Sequence, residues 1–469
     1  MNISKIVMSI AILILVGCGS ASSGESENSS IDEVPMLDKN TSFRHSAKTV
    51  TIYVHGYKKG GFEWSQNYGE NYDSEFSNRV AEFTSYPKLD EYNKDDFTDV
   101  ITAVEYYGDN APDYYSQKDI EEIEDVTAQY GGGIPRYALI VAKFAKHMLQ
   151  ETEAERVNIV SVSMGSFITR WMIEKNLENL ASDKKIEKWM SAEGVIRGNY
   201  GYTKIGSLAI DIQAFIEDSA ETRQMKYSWI EENLTPDRAV MKSPYYSDIL
   251  VGQISLTDSE KEQAGLKYIL IEEGFQPNDG YQLVKDTYFG EIENSIQAPS
   301  HTFIHTDHIS IEKSDATFLT IANFLEAKKR VRITLVDATV SDLHESITTL
   351  NKDTETVFES DISANDKKIC ERVYNGGTLI VHDYTKENQT KEINQIIFDD
   401  FVSPTESTLV VRIKGYEIDR STKYSVSEWK TDKKESMGES INNIELKEGI
   451  YPISAKDWSG NLKVEILEM

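Results

Sequence analysis

The chain has 469 residues, 39% of them hydrophobic and 10% aromatic. That is too apolar for a disordered polymer and long enough for two or three domains. Acidic residues outnumber basic ones 78 to 49, a formal charge of −29. Nucleic acid and anionic lipid surfaces would repel such a chain, and neither is expected as a partner.

At the N-terminus Lys5 precedes an apolar run, Ile6 to Val16, too short to anchor stably across a bilayer. The run ends Leu15-Val16-Gly17-Cys18, which resembles the lipobox of bacterial lipoproteins. The resemblance implies removal of 1–17 and lipidation of Cys18. With Gly19 rather than Asp after it, it also implies, in a two-membrane bacterium, outer-membrane sorting in the bacterial cell envelope. Plain secretion with cleavage at small residues is the alternative. Residues 18–47 are rich in Ser, Glu, Asp and Asn, and are expected to form a flexible tether. If Cys18 carries lipid, Cys370 has no partner and no internal disulfide forms. Cys370 is then most simply a small buried residue.

From Lys48 a β-branched alternation through Val54 predicts a strand that runs into His55-Gly56-Tyr57. Phe62, Trp64, Tyr68 and Tyr72 follow, suited to lining an acyl pocket or packing a long loop. A helix is predicted over Ser74 to Tyr86 and a strand over Asp99 to Tyr107. Gly131-Gly132-Gly133 breaks the chain. A helix then runs from Pro135 to about Glu151, with Tyr137, Ile140, Val141, Phe144 and Met148 facing inward.

The stretch Val157 to Arg170, V-N-I-V-S-V-S-M-G-S-F-I-T-R, reads as strand, tight turn and amphipathic helix. A serine at such a turn, Ser163, is pushed out of the sheet edge with its hydroxyl exposed. The amides of the helix start face it. Gly165 lets the turn close. Ser161 stands where glycine is usual.

A further strand is predicted over Lys188 to Ile196. Ile205, Leu208, Ile212, Phe215 and Ile216 then recur at helical spacing, within an insertion of about 197–246 that reads as a packed cap or a mobile lid. Leu266 to Glu272 reads as a strand delivering Gly274 to Gly280, G-F-Q-P-N-D-G. Asp279 is the candidate acid there, with Asp286 in reserve. Ser300 to Ile311 holds three histidines. His308, shortly before a helix over Ser314 to Lys328, is the candidate base, with His305 second and His301 structural. Asp307 is left either stabilising the loop or binding a metal ion.

The order Ser163, Asp279, His308, with His55-Gly56 and the Ser-Met-Gly turn, resembles the α/β-hydrolase superfamily. Within it the likeness is to bacterial triacylglycerol lipases and class 2 lipases, over 48–328. The resemblance implies a doubly wound, mainly parallel sheet with a helical cap. It also implies a Ser163–His308–Asp279 triad, with the amides of Tyr57 and Met164 as oxyanion hole. The substrates would be carboxylic esters, lipid acyl esters first, with no cofactor. A non-lipolytic carboxylesterase or thioesterase, or an inactive binding protein on the same scaffold, are the alternatives.

From Lys329 the pattern becomes short alternating strands separated by turn residues. Residues 329–469 are therefore expected to form an all-β sandwich, C2-like or immunoglobulin-like. Acidic turns at Asp337, Asp399-Asp400 and Asp457 are read first as solvated aspartates and second as a calcium site.

Overall fold

The computed structural model of the chain describes residues 37–39, 43–57, 67–95, 98–205, 219–240, 243–258, 277–343, 354–372, 374–375, 378–379, 381–418 and 435–469. The signal segment, Cys18, most of the tether, Phe62, Trp64, Leu208 to Ile216 and the strand expected at 266–272 lie outside these residues.

Among the described residues the N-terminal half is built on a sheet of seven strands. In chain order they are β1 (Thr49–Val54), β2 (Glu70–Asn71), β3 (Asp99–Glu105), β4 (Arg156–Val162), β5 (Ile186–Ala192), β6 (Leu250–Leu256) and β7 (Ser300–Ile304). They lie side by side as β2-β3-β1-β4-β5-β6-β7. Every pairing is parallel except the short β2 against β3. The all-parallel centre explains the composition of β1 and β4. Strands covered on both faces need apolar or β-branched residues throughout, and all six positions of β1 are buried.

Helices cover the two faces. On one, Val50, Ile52 and Val54 pack with α3 (Ile134–Glu151) and α4 (Met164–Glu174). On the other, Tyr53, Ile101 and Val160 pack with α1 (Glu75–Thr84) and α9 (Asp315–Glu326). The expected inner stripe of α3 is buried at Tyr137, Ile140, Val141, Phe144 and Met148. The other helices among the described residues are α2 (Gln117–Tyr130) and the short α5 (Tyr200–Ile205), α6 (Ala220–Gln224), α7 (Tyr227–Asn233) and α8 (Val284–Thr287). Helix ends carry their own stop signals. Ser116 and Asp119 form a capping box on α2, and Gly131 ends it at φ 75°. The start of α3 has no cap of its own; Gln224 supplies one, accepting from Ile134 N at 2.6 Å.

With strands in this order, helices on both faces and a sharp turn after β4, the N-terminal half has the α/β-hydrolase fold, followed by a β domain. Several elements differ from expectation, two of them near the site. β5 stops at Ala192, four residues short, because the chain turns at Glu193 with φ 45°. The strand Leu250–Leu256 was not anticipated.

The second half contains β8 (Lys329–Val340), β9 (Thr354–Ala364), β10 (Lys367–Arg372), β11 (Tyr374–Asn375), β12 (Thr378–Leu379), β13 (His382–Tyr384), β14 (Gln389–Val402), β15 (Thr408–Ile418), β16 (Glu435–Glu445), β17 (Gly449–Ser454) and β18 (Trp458–Glu468). One antiparallel sheet runs β14-β8-β18-β17. A second runs β10-β9-β15-β16, with β13 also on β9, and β11 pairs with β12 in a two-stranded ribbon. Val331, Ile333, Phe358, Val411 and Trp458 join in the core between the two larger sheets, with Phe358 and Trp458 edge to face at 5.0 Å. Cys370 is buried on β10, its Sγ donating to Ile397 O at 3.8 Å. Asp337, Asp399 and Asp400 correct the expectation of acidic turns: they lie on β8 and β14, where the side chains of Asp399 and Asp400 are buried. The halves meet where Phe324 of α9 packs edge to face on Phe401 at 5.6 Å and Thr302 of β7 donates to Asp400.

Candidate active site

The carboxyl ends of β1, β4, β5 and β6 form one edge of the sheet, and the candidate residues gather there. Ser163 occupies the turn between β4 and α4. Its φ of 52° and ψ of −121° are unusual for a residue with a side chain, and they lift the hydroxyl off the sheet edge. The turn is tight because α4 starts against the end of β1. A Cβ on Gly165 would lie 2.3 Å from the Val54 carbonyl oxygen and 2.5 Å from that of His55.

The His55-Gly56-Tyr57 loop sits over the serine. A Cβ on Gly56 would come within 3.1 Å of Ser163 Cβ. The loop is held by Tyr106, whose hydroxyl donates to the carbonyls of His55 (2.7 Å) and Gly56 (3.0 Å). The His55 ring is buried, stacks on Tyr106 at 3.9 Å and puts Nε2 3.3 Å from Glu105. Thus Tyr57 follows directly on the segment covering Ser163, and Met164 is the first residue of α4.

Asp279 lies in the turn before α8. Its backbone N–H donates to Gln282 O at 3.2 Å, and its Oδ1 accepts from the amides of Tyr281 (2.9 Å) and Gln282 (2.7 Å). Those two amides fix the carboxylate and leave Oδ2 for the imidazole. His308 Nδ1 is 2.8 Å from Asp279 Oδ2, and His308 Nε2 is 3.0 Å from Ser163 Oγ. The two loops are joined directly, His308 N donating to Asp279 O at 3.2 Å. Asp307, unassigned from sequence, accepts through Oδ1 from Ile309 N and Ser310 N and so shapes the histidine loop. The structure therefore brings Ser163, His308 and Asp279 together.

The reserve candidates lie elsewhere. Asp286 is buried against Arg238 and the Tyr227 hydroxyl, and burial first of all raises its pKa to about 6. His305 reaches toward Asp258 and Glu371 at 3.9 and 4.0 Å. His301 is on β7, its Nε2 2.8 Å from Ser255 Oγ.

One residue of the site was missed. Glu193, the first residue after β5, is buried with Oε2 3.2 Å from His308 Nδ1. Its carboxyl is held well above the usual carboxylate range by burial and then by the charges of Asp279, Glu312 and Asp307. The signal was present in Ser191-Ala192-Glu193-Gly194, an acid at the carboxyl end of a fully buried strand. Extending that strand to Ile196 hid it.

No protein-family model matches the sequence, and no curated protein matches it. Among solved structures the chain is similar to a Bacillus licheniformis lipase in mature form, at 13% identity and TM-score 0.39, over 61% of this chain and 95% of that one. It is similar to a Legionella pneumophila phospholipase at 10% identity and TM-score 0.38, over 88% and 91%. It is similar to a metagenomic carboxyl esterase at 12% identity and TM-score 0.35, over 57% and 66%.

Proposed function

We propose that this protein is a serine hydrolase of carboxylic esters, acting first on lipid acyl esters and tethered to the bacterial outer membrane through lipid on Cys18. The observation that carries the reaction is the continuous chain of contacts from Ser163 Oγ through the His308 ring to Asp279, 3.0 Å and then 2.8 Å.

The chemistry follows from those contacts. A serine hydroxyl is a weak nucleophile near neutral pH. As Ser163 Oγ attacks the ester carbonyl, its proton passes to His308 Nε2. Asp279 holds the Nδ1–H tautomer and stabilises the imidazolium. The negative oxygen of the tetrahedral intermediate is received by the amides of Tyr57 and Met164, donors of a kind worth about 10²–10³-fold each. The C–O bond to the leaving alcohol breaks as His308 returns the proton to that oxygen. Water, deprotonated by the same imidazole, then frees the acid and restores Ser163. No metal or organic cofactor takes part.

The test is hydrolysis of p-nitrophenyl esters of graded chain length by wild type and Ser163→Ala. The variant should lose at least about 10³-fold in kcat; equal rates would overturn the nucleophile. Activity confined to short chains would replace the lipase with a non-lipolytic esterase. The tether is tested separately: Cys18→Ala should move the protein from the membrane to the soluble fraction, and an unchanged distribution would overturn the anchor.

A further inference from the structure

Two carboxyl groups, not one, address the same ring nitrogen of His308. Asp279 Oδ2 stands 2.8 Å from Nδ1 and Glu193 Oε2 stands 3.2 Å from it. They reach it from different parts of the sheet edge. Asp279 comes from the turn before α8, and Glu193 comes from the end of β5, next to the strand that carries Ser163.

We propose that Glu193 is a second positioning carboxyl for His308, able to take over the orientation of the imidazole when the Asp279 carboxylate is lost. This rests on the proposed hydrolase reading of Ser163 and His308.

The backbone around Glu193 is built to aim it. Glu193 N donates to Ile254 O at 2.7 Å, which ties the residue to β6, and its φ of 45° turns the chain out of β5. The side chain is 1% exposed, and Oε2 makes no hydrogen bond of good geometry although it is buried. A buried carboxyl without such a bond is costly unless a partner arrives with charge. The titratable groups that face it are Asp279, Asp307 and Glu312, with Tyr53 of β1. Among the described residues the base that reaches it is His308. Burial, and then the charge of Asp279, hold the Glu193 carboxyl well above its usual range, so its charged form is disfavoured while Asp279 is present. Removing Asp279 withdraws the largest opposing charge. Glu193 then releases its proton to solvent more readily and accepts the Nδ1–H bond.

The experiment compares wild type, Asp279→Ala, Glu193→Gln and the double variant in the full chain, as kcat for a p-nitrophenyl ester against pH. The Asp279→Ala loop keeps its backbone bonds from Asp279 N to Gln282 O and from His308 N to the residue 279 carbonyl. Without a second carboxyl, losing the triad acid should cost about 10⁴-fold. With Glu193 in place, Asp279→Ala should lose only about 10²-fold, and the double variant should fall by the full ~10⁴. The residual activity of Asp279→Ala should rise with pH along a limb that Glu193→Gln removes, a change that loss of packing would not produce. Asp279→Ala/Glu193→Asp should restore part of it.

A second readout needs no turnover. The low-field proton resonance of the His308 Nδ1–H should persist in Asp279→Ala and vanish in the double variant. Equal rates and equal spectra for the single and double variants would overturn the role of Glu193. If Ser163→Ala instead matches wild type, the hydrolase reading fails, and the proton resonance alone still decides whether Glu193 holds the ring.

Discussion

The indole Nε1 of Trp189 donates to Ser161 Oγ across 2.8 Å, from the strand beside the one that leads into the Ser163 turn. Ser161 is the position where the motif usually has glycine. Here its hydroxyl also lies 3.1 Å from Ser166 Oγ and 3.3 Å from Met190 O. The departure is therefore a substitution with a purpose: a fully buried tryptophan needs an acceptor, and a glycine supplies none. Ser161→Gly, which restores the usual motif, is expected to lower stability rather than raise it. Ser161→Ala should cost about 1–3 kcal/mol for the orphaned indole N–H. Urea denaturation should show a lower midpoint with an unchanged slope.

Gly165 is constrained by two carbonyl oxygens of the backbone, Val54 O and His55 O, neither of which can move without shifting β1. Gly165→Ala should push the start of α4 away from the His55-Gly56 loop, displacing the Ser163 hydroxyl from His308. A loss of about 1–3 kcal/mol is expected, with a larger proportional loss of kcat, because positioning errors of an ångström cost about 10²-fold. Gly449→Ala serves as the control. Its nearest neighbour is 3.7 Å away, ordinary contact, and stability should hardly change.

Much of this architecture was legible because local chemistry and tertiary position agree. β1 and β4 are β-branched runs, and α3 carries a clear apolar stripe. Ser163 and Asp279 lie on turns whose sequences, Ser163-Met164-Gly165 and Asn278-Asp279-Gly280, name the turn themselves. What was missed was masked by neighbours. Leu250–Leu256 reads L-V-G-Q-I-S-L, and Gly252 breaks its pattern for a reason that lies outside the strand. A Cβ there would stand 2.6 Å from the ring of Phe324 on α9. Gln253, polar in mid-strand, accepts from Phe289 N at 3.0 Å. Asp399 and Asp400 look like a turn until Arg330 and Thr302 are seen opposite them. The helix Gln117–Tyr130 was passed over although Ser116 and Asp119 carry a capping signature.

Asp400 gives the protein a pH dependence. Burial, above all, raises its pKa to about 7 from an ordinary 3.8, although Thr302 and the Phe401 amide bond to it. The folded state thus holds a proton that the unfolded state releases above pH ~4. The unfolded chain binds fewer protons between about 4 and 7, so this group's contribution falls as pH rises through that window and levels off above it. Its slope is at most about 1.4 kcal/mol per pH unit. Asp400→Asn keeps the acceptor for Phe401 N and can donate to Thr302. The variant should gain on wild type steadily from pH 4 to 7, by a few kcal/mol in all. His382, lowered to about 4 chiefly by burial, acts oppositely over an overlapping range. The difference between variant and wild type, measured by thermal or urea unfolding across pH, removes it.

The neighbouring Asp399 works in the other direction. Its carboxylate is buried between two guanidinium groups. Arg330 Nε and Nη2 lie 2.9 and 3.1 Å from its two oxygens, and Arg332 Nη2 is 2.8 Å from Oδ2. Burial disfavours its charge, but Arg330 and then Arg332 outweigh burial and hold its pKa below the usual value. The group's stabilisation is therefore complete above pH ~4 and is lost as pH falls through the lowered folded value. Arg330 also donates to Ala298 O at 2.7 Å, just before β7, so the cluster ties the β domain to the sheet that carries the site. Asp399→Ala would leave two buried cations on one face without their anion, a cost of about 3–5 kcal/mol. Asp399→Asn, isosteric but uncharged, should fall between that variant and wild type. In urea at pH 7 the midpoints should order as wild type, Asn, Ala, and the gap should narrow toward pH 3. Added calcium should leave that order unchanged, since both carboxylate oxygens of Asp399 are engaged by arginine. A calcium-dependent rise in the wild-type midpoint that Asp399→Asn abolishes would instead place the ion at this carboxylate.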